Sequence, residues 1–280
     1  MSNVVNLRRS CRDKYVMSSH TLTSADVPFN IITGDALAKM KLMASASFDA
    51  IMFSPPYNLG TSTGGGLKGS GKSGKWKNAK LASGYDGYND DMPRDLYVQW
   101  QKEVLTECWR LLSDDGVIFY QHHERVQGGV LQTPHDLNPG LPHRQTLYWD
   151  RGSSHCFNHT FATPIHEVVY IFAKPKFAFK KSHGLKTVFR MSKDFGNPHP
   201  APFPVELPQM LIAALKPHHT RILDPFSGSG STGVAALREG RTFVGVEISS
   251  KYAEDSRERL ALELATIYGA HGHHTISLVA

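Results

Sequence analysis

One short stretch decides most of what this chain can fold into. The apolar run Ala50-Ile51-Met52-Phe53 has the length of a fully buried strand, and Ser54-Pro55-Pro56-Tyr57 stops it. Proline has no N–H for a sheet ladder, so two in succession end the strand, fix φ twice and hold the chain extended. The outcome is a stiff ledge at the carboxyl end of a strand, which in an open α/β sheet is where ligands bind. Ser54 and the Pro55 carbonyl are two fixed acceptors beside the flat ring of Tyr57. That set suits a planar base carrying an exocyclic NH2 group. For Pro-Pro alone, a plain strand followed by a proline turn is the better reading.

The chain of 280 residues, 40% hydrophobic and 20% charged, can bury a core and is long enough for one large α/β domain with insertions or two small ones. It has no apolar run of membrane-spanning length. Arg8, Arg9, Arg12 and Lys14 precede no apolar segment, so the start is not read as a signal peptide. Cys11, Cys108 and Cys156 stand too far apart for a disulfide framework or a metal site. A cytoplasmic protein without membrane contact is expected. The net charge of +6 favours a polyanionic partner.

Taken in order, residues 1–28 read as a basic arm and 29–173 as a first half of the domain, with strands at 29–33, 50–53, 116–120, 145–149 and 167–173. Helices are expected over 37–43 and 95–112, with a turn at Asp114-Asp115-Gly116. Residues 60–84 are rich in Gly, Ser and Lys. Gly66 to Ser73 matches the phosphate-loop pattern, but lacks the buried strand before it and the helix after it. The better reading is a flexible loop whose Lys68, Lys72, Lys75, Trp76 and Lys77 meet a phosphate backbone and a base, with a merely solvated loop as the competitor. Residues 174–198 interleave aromatics with Lys180, Lys181, Lys186 and Arg190, which marks a candidate nucleic-acid-reading insertion against a bland surface hairpin. Residues 199–265 form a second half, with helices over 205–215, 234–238 and 252–265 and strands at 221–224 and 243–247, and 266–280 are a tail.

The second half carries the other focus, Asp224-Pro225-Phe226-Ser227-Gly228-Ser229-Gly230-Ser231-Thr232-Gly233. The three glycines match G-x-G-x-x-G, with the acid Glu247 about 20 residues on, as a nucleoside-binding turn requires. Glycine lets the backbone approach a ligand closely, and a carboxylate at the next strand end can accept from both ribose hydroxyls. NAD is a live alternative on that feature alone. Against it, only one βα unit follows, and Asp224 precedes, an acid placed to meet a cationic amino group.

Asp-Pro-Phe-x-Gly-x-Gly-Ser-Thr paired with Ser-Pro-Pro-Tyr resembles the S-adenosylmethionine-dependent DNA methyltransferases that act on exocyclic amines, cytosine N4 or adenine N6. The Ser-Pro-Pro-Tyr motif comes first, which is similar to that family's β arrangement. The resemblance covers about residues 29–262. It implies a doubly wound, mostly parallel, circularly permuted Rossmann-like sheet with a small recognition insertion. Ser54, Pro55, Pro56 and Tyr57 would be catalytic, with Tyr57 stacking on a flipped base. Asp224, Phe226, Gly228, Gly230 and Thr232 would line the methionine part of S-adenosylmethionine. Glu247 would hold the ribose and Asp35 the adenine amino group, with Phe203 packed on the cofactor. Ser as the first motif residue favours cytosine over adenine. Double-stranded DNA is the implied partner; a homodimer and a cognate restriction endonuclease stay open.

Other chemistries fit less well. A zinc deaminase needs Pro-Cys-x-x-Cys, which is absent. No Gly-x-Ser-x-Gly elbow is present, and His122-His123-Glu124 has no partner cluster in sequence. A non-enzymatic basic DNA-binding module would have no use for both motifs.

Overall fold

Phe48–Phe53 is buried at all six positions and stands in the middle of the sheet. The computed structural model describes residues 27–58, 91–153, 159–192 and 203–269. Its first half contains β1 (Phe29–Thr33), α1 (Ala36–Lys41), β2 (Phe48–Phe53), α2 (Arg94–Leu111) and β3 (Leu112–His122). A small hairpin follows, β4 (Arg125–Gln127) and β5 (Val130–Gln132), then β6 (His143–Asp150), β7 (His166–Ala173) and β8 (Val188–Arg190). The second half is α3 (Glu206–Ala213), β9 (Arg221–Asp224), α4 (Ser231–Arg238), β10 (Thr242–Glu247) and α5 (Ser250–Gly269).

The main sheet runs β1-β10-β9-β2-β3-β7-β6-β8. Its first five strands are parallel, and β7 is antiparallel to both neighbours. Alternation along β2 splits the core in two. Ala50 and Met52 face the apolar stripes of α3, α4 and α5. Ile51 and Phe53 face α1 and α2. Helices therefore cover both faces, the doubly wound arrangement expected, and strands buried on both sides read as continuous apolar runs.

The topology positions the site. Chain order proceeds from β2 to β3 in one direction and from β9 to β10 in the other, so order reverses between β2 and β9. Such a switch point leaves a crevice at the carboxyl ends of its two strands. The two strands pair directly, Ala50 opposite Ile222 and Ile51 opposite Leu223. The Ser-Pro-Pro-Tyr ledge and the glycine turn thus leave the sheet side by side.

The structure departs from the sequence reading in several places. Asp114-Asp115-Gly116 is not a turn but lies within β3, where the register slips between Phe48 and Ala50. The turn-forming residues are absorbed as a bulge, which lets one strand carry extra residues without ending. Helix α4 starts at Ser231 rather than Val234, and α5 runs on to Gly269. Within 174–192, Phe177 is buried, and Phe179 and Phe189 pack against the same core. The aromatics of that segment thus serve packing, and β8 adds to the sheet edge beside β6. Lys180, Lys181, Lys186 and Arg190 remain exposed. The basic arm up to residue 26, the loop 60–84 with its lysines and Trp76, and the tail from 270 lie outside the described residues. No helix among the described residues is long and apolar enough to cross a membrane.

Candidate active site

Ser54 follows the last residue of β2, and Ser54, Pro56, Tyr57 and Asn58 are each tied down by hydrogen bonds. Ser54 Oγ donates to Tyr57 Oη at 2.8 Å, and Tyr57 Oη donates to Gln121 Oε1 at 2.7 Å. The Pro56 carbonyl accepts from Tyr97 Oη at 2.9 Å. The Tyr57 and Asn58 carbonyls accept from Arg125 Nη1 at 3.3 and 3.2 Å. Asn58, at a left-handed φ of 56°, closes the motif. Its amide donates to the Met92 carbonyl at 2.8 Å and accepts from Met92 N at 2.6 Å. The prolines remove donors from this segment, and side chains of other elements supply them, so the ledge is rigid without being part of a ladder.

Beneath the ledge lies a buried polar cluster. Tyr57 packs on His122 and His123, with ring centroids 4.6 and 4.4 Å apart. His122 Nδ1 lies 2.8 Å from His123 N and 3.0 Å from the His123 carbonyl, and its Nε2 lies 3.1 Å from Tyr97 Oη. Gln101 Nε2 donates to Tyr97 Oη, and Gln101 Oε1 accepts from Tyr120 Oη, both at 3.0 Å. Tyr97 Oη thus accepts from Gln101 and donates its one proton to the Pro56 carbonyl, with the His122 ring against it. Burial pushes the His122 pKa down to about 4, with the nearby Arg125 and Arg94 adding to it, so the ring is neutral at neutral pH.

Across the switch point, β9 delivers Asp224 and the glycine turn. Asp224 is buried, and its carboxylate accepts from Phe226 N at 2.9 Å and Thr232 Oγ1 at 2.6 Å. It shapes the turn from behind. Burial, with Glu247 nearby, pushes its pKa up to about 7 against the pull of those two hydrogen bonds. Gly230 has φ of 80°, and a Cβ there would meet Ser256 Oγ at 2.5 Å. At Gly233 a Cβ would strike the Phe243 ring at 2.7 Å, so this glycine brings α4 flush against the sheet. Glu247, at the end of β10, accepts from Gly228 N at 2.8 Å and Ser249 N at 2.9 Å. These two bonds fix the orientation of its carboxylate at the cleft.

Both halves open into one cleft of about 100 Å³. Ser54, Pro55, Pro56 and Tyr57 form one wall, and Gly228, Glu247 and Asp35 lie on the other. Trp100, Phe203, Phe226, Ile248 and Tyr252 supply apolar surface between them. Asp35 Oδ1 also accepts from Ala38 N at 2.8 Å and caps α1. Of the residues expected to bind the cofactor, Asp35, Phe203, Phe226, Gly228 and Glu247 reach the cleft. Asp224, Gly230 and Thr232 stand behind its wall. Sequence reasoning missed Tyr97, Trp100, Gln121, Ile248 and Tyr252. Only His122-His123 gave a local hint, two polar rings ending a buried strand.

The donor set fits a nucleoside-bearing ligand. A carboxylate fixed by two backbone amides faces the cleft where a ribose diol would need acceptors, and apolar rings flank it.

A mostly parallel doubly wound sheet, with an acid-flanked glycine turn and a rigid acceptor ledge facing one cleft, defines a methylase-type class of protein. The N6_N4_Mtase model, described as DNA methylase, matches residues 48–258, and the chain belongs to this family of DNA amino-methyltransferases. It is 25% identical over 275 residues to the DNA adenine methyltransferase YhdJ of Escherichia coli (strain K12), covering 86% of this chain and 84% of that one. The fold matches the cytosine-N4-specific PvuII DNA methyltransferase with TM-score 0.63 at 18% identity, over 86% of this chain and 93% of that one. It also matches the Thermus thermophilus protein TTHA0409 complexed with S-adenosyl-L-methionine, with TM-score 0.60 at 20% identity, over 89% and 99% of the two chains.

Proposed function

We propose that the protein transfers a methyl group from S-adenosylmethionine to the exocyclic amine of a base flipped out of double-stranded DNA, and that the base is cytosine, methylated at N4. The observation that carries this is the pairing of β2 with β9, which opens Ser54 and the glycine turn into the same cleft. Methyl donor and acceptor must meet within about 3–3.5 Å in a near-attack geometry, and the switch point is where two such sites adjoin.

Glu247 would hold the ribose, Asp35 the adenine amino group, and Phe203, Phe226 and Ile248 the apolar surface of the cofactor. When bound, the cofactor supplies an activated methyl group on a sulfonium. The remaining work belongs to this chain. An amine on cytosine or adenine is a poor nucleophile, because its lone pair is delocalised into the ring. Ser54 Oγ and the Pro55 carbonyl accept from the NH2 group, which favours a pyramidal nitrogen with its lone pair free. Tyr57 offers its ring to the flipped base, since a base within a duplex cannot reach the cleft. The contribution is chiefly positioning, and no covalent enzyme intermediate is needed. Burial pushes the Cys108 thiol far up and keeps it protonated.

Adenine N6 is the second reading. YhdJ, the relative that favours it, is an adenine methyltransferase. Sequencing DNA from an expressing host, followed by mass spectrometry of its nucleosides, decides between them. N4-methylcytosine is expected. N6-methyladenine alone overturns the cytosine assignment, and 5-methylcytosine overturns the mechanism.

A further inference from the structure

The hydroxyl of Ser54 could either give its proton to a substrate or accept one, and four linked side chains determine which. We propose that Glu167 is a positioning residue that sets the direction of a hydrogen-bond chain ending at Ser54, and so makes the site select an amino group over a carbonyl. This rests on the reading of Ser54 as the residue that meets the substrate amine.

The chain starts at an ion pair. Arg151 Nη1 lies 2.7 Å from Glu167 Oε1, and both side chains are largely withdrawn from solvent. A carboxylate paired with a guanidinium has only lone pairs to offer its next neighbour. That neighbour is Gln121, which is buried, and it must turn its NH2 toward Glu167 Oε2. Its amide oxygen is then left facing Tyr57. An amide oxygen carries no proton, so Tyr57 Oη donates, at 2.7 Å. With its one proton spent, Tyr57 Oη accepts from Ser54 Oγ at 2.8 Å. Ser54 has then spent its own proton, and what it presents to the cleft is lone pairs. An NH2 group finds an acceptor there, whereas a carbonyl oxygen meets another oxygen.

The opposite polarity can be drawn but not kept. If Gln121 were turned over, its NH2 would donate to Tyr57, Tyr57 to Ser54, and Ser54 to the cleft, the arrangement a carbonyl would prefer. The Gln121 oxygen would then face the Glu167 carboxylate, acceptor against acceptor with no proton between them. A buried acceptor without a donor is strongly disfavoured. The charge on Glu167 therefore dictates the behaviour of a hydroxyl three side chains away. Cytosine and uracil, like adenine and hypoxanthine, differ at the reacting position by this exchange of NH2 for carbonyl.

The test is a binding experiment without methyl donor. Duplexes carry the methylated site either intact or with its target base replaced by the deaminated counterpart, uracil or hypoxanthine. The native protein is expected to favour the amine duplex. In Glu167→Gln the neighbour can present either end of an amide, Gln121 is no longer held one way round, and the preference should fall about tenfold. Tyr57→Phe keeps the ring but cuts the chain, and should lower the preference likewise, so it decides the matter if Glu167→Gln fails to fold. Restoring the carboxylate as Glu167→Asp should restore part of the preference. An undiminished preference in both Glu167→Gln and Tyr57→Phe overturns the proposal. Full methylation by Ser54→Ala would instead overturn the reading of Ser54 on which it rests. A loss in Ser54→Ala with unchanged discrimination in the other two variants leaves that reading standing and removes the chain from Glu167 through Tyr57.

Discussion

Asp49 and Arg221 are 172 residues apart in sequence and meet across the switch point, with Arg221 Nη2 donating to Asp49 Oδ1 at 2.9 Å and Arg221 Nε to Oδ2 at 3.3 Å. Asp49 Oδ2 also accepts from the backbone N–H groups of Thr220 and Arg221, both at 2.9 Å. A single acid at the start of β2 thereby seats the start of β9, and the two strand ends that bear the site are brought into line from below.

Asp49→Asn should therefore destabilise the fold by about 2 kcal/mol, the worth of hydrogen bonds to a charged group. Burial works against the Asp49 charge, but the hydrogen bonds and charge of Arg221 prevail and hold its carboxyl below the usual range. A depressed pKa gives stability that is present above the unfolded value near 3.9 and lost as pH falls through the folded one. Urea unfolding of the native protein should show this loss at acid pH. In Asp49→Asn that part of the pH dependence should be missing.

Asp224 should behave in the opposite sense. Its folded pKa, near 7, is raised by burial. Such a group contributes fully below the unfolded carboxylate value, and the contribution is lost as pH rises through about 7. Stability of the native protein should fall between about pH 4 and pH 7 on this account. Asp224→Asn should flatten that decline, and an equally steep decline in the variant would assign it to other groups.

Glu247→Gln should weaken S-adenosylmethionine binding in calorimetry by tenfold or more, about 1.4 kcal/mol. The amide keeps the shape but can accept through only one of its two ends. Gly228 N and Ser249 N already claim one oxygen each. Undiminished affinity would take Glu247 out of the cofactor site.

Lys180, Lys181 and Lys186 are exposed on the segment that ends in β8. If they meet phosphates, replacing all three with Gln should reduce the slope of log affinity for DNA against log salt by about 0.9 per contact. A slope equal to the native one would make them a solvated face.

The sequence made the sheet and the cleft legible where burial is two-sided. Ala50 to Phe53 and Val117 to Tyr120 face core on both sides, so their apolar runs are unbroken and speak for themselves. Paired glycines and prolines mark the strand ends for backbone reasons that need no tertiary context. Gln121 and Glu167 were illegible, because a single polar residue at a strand terminus has no meaning until β3 and β7 pair and Tyr57 arrives from 64 residues away. Phe177 and Phe179 misled for the converse reason. Between lysines they resemble a nucleic-acid surface, and only packing against the core reveals them as interior. Asp114-Asp115-Gly116 shows a local turn preference yielding to strand pairing on either side.

The clasp between Asn58 and Met92 has a bearing on how the ledge keeps its shape. Two hydrogen bonds join residues 34 apart in sequence, one donated and one accepted by the same Asn58 amide. An amide that both gives and takes fits its partner in one orientation only. Asn58 thus works as a latch with a single seating, and the ledge that begins at Ser54 is keyed to the residues that lead into α2.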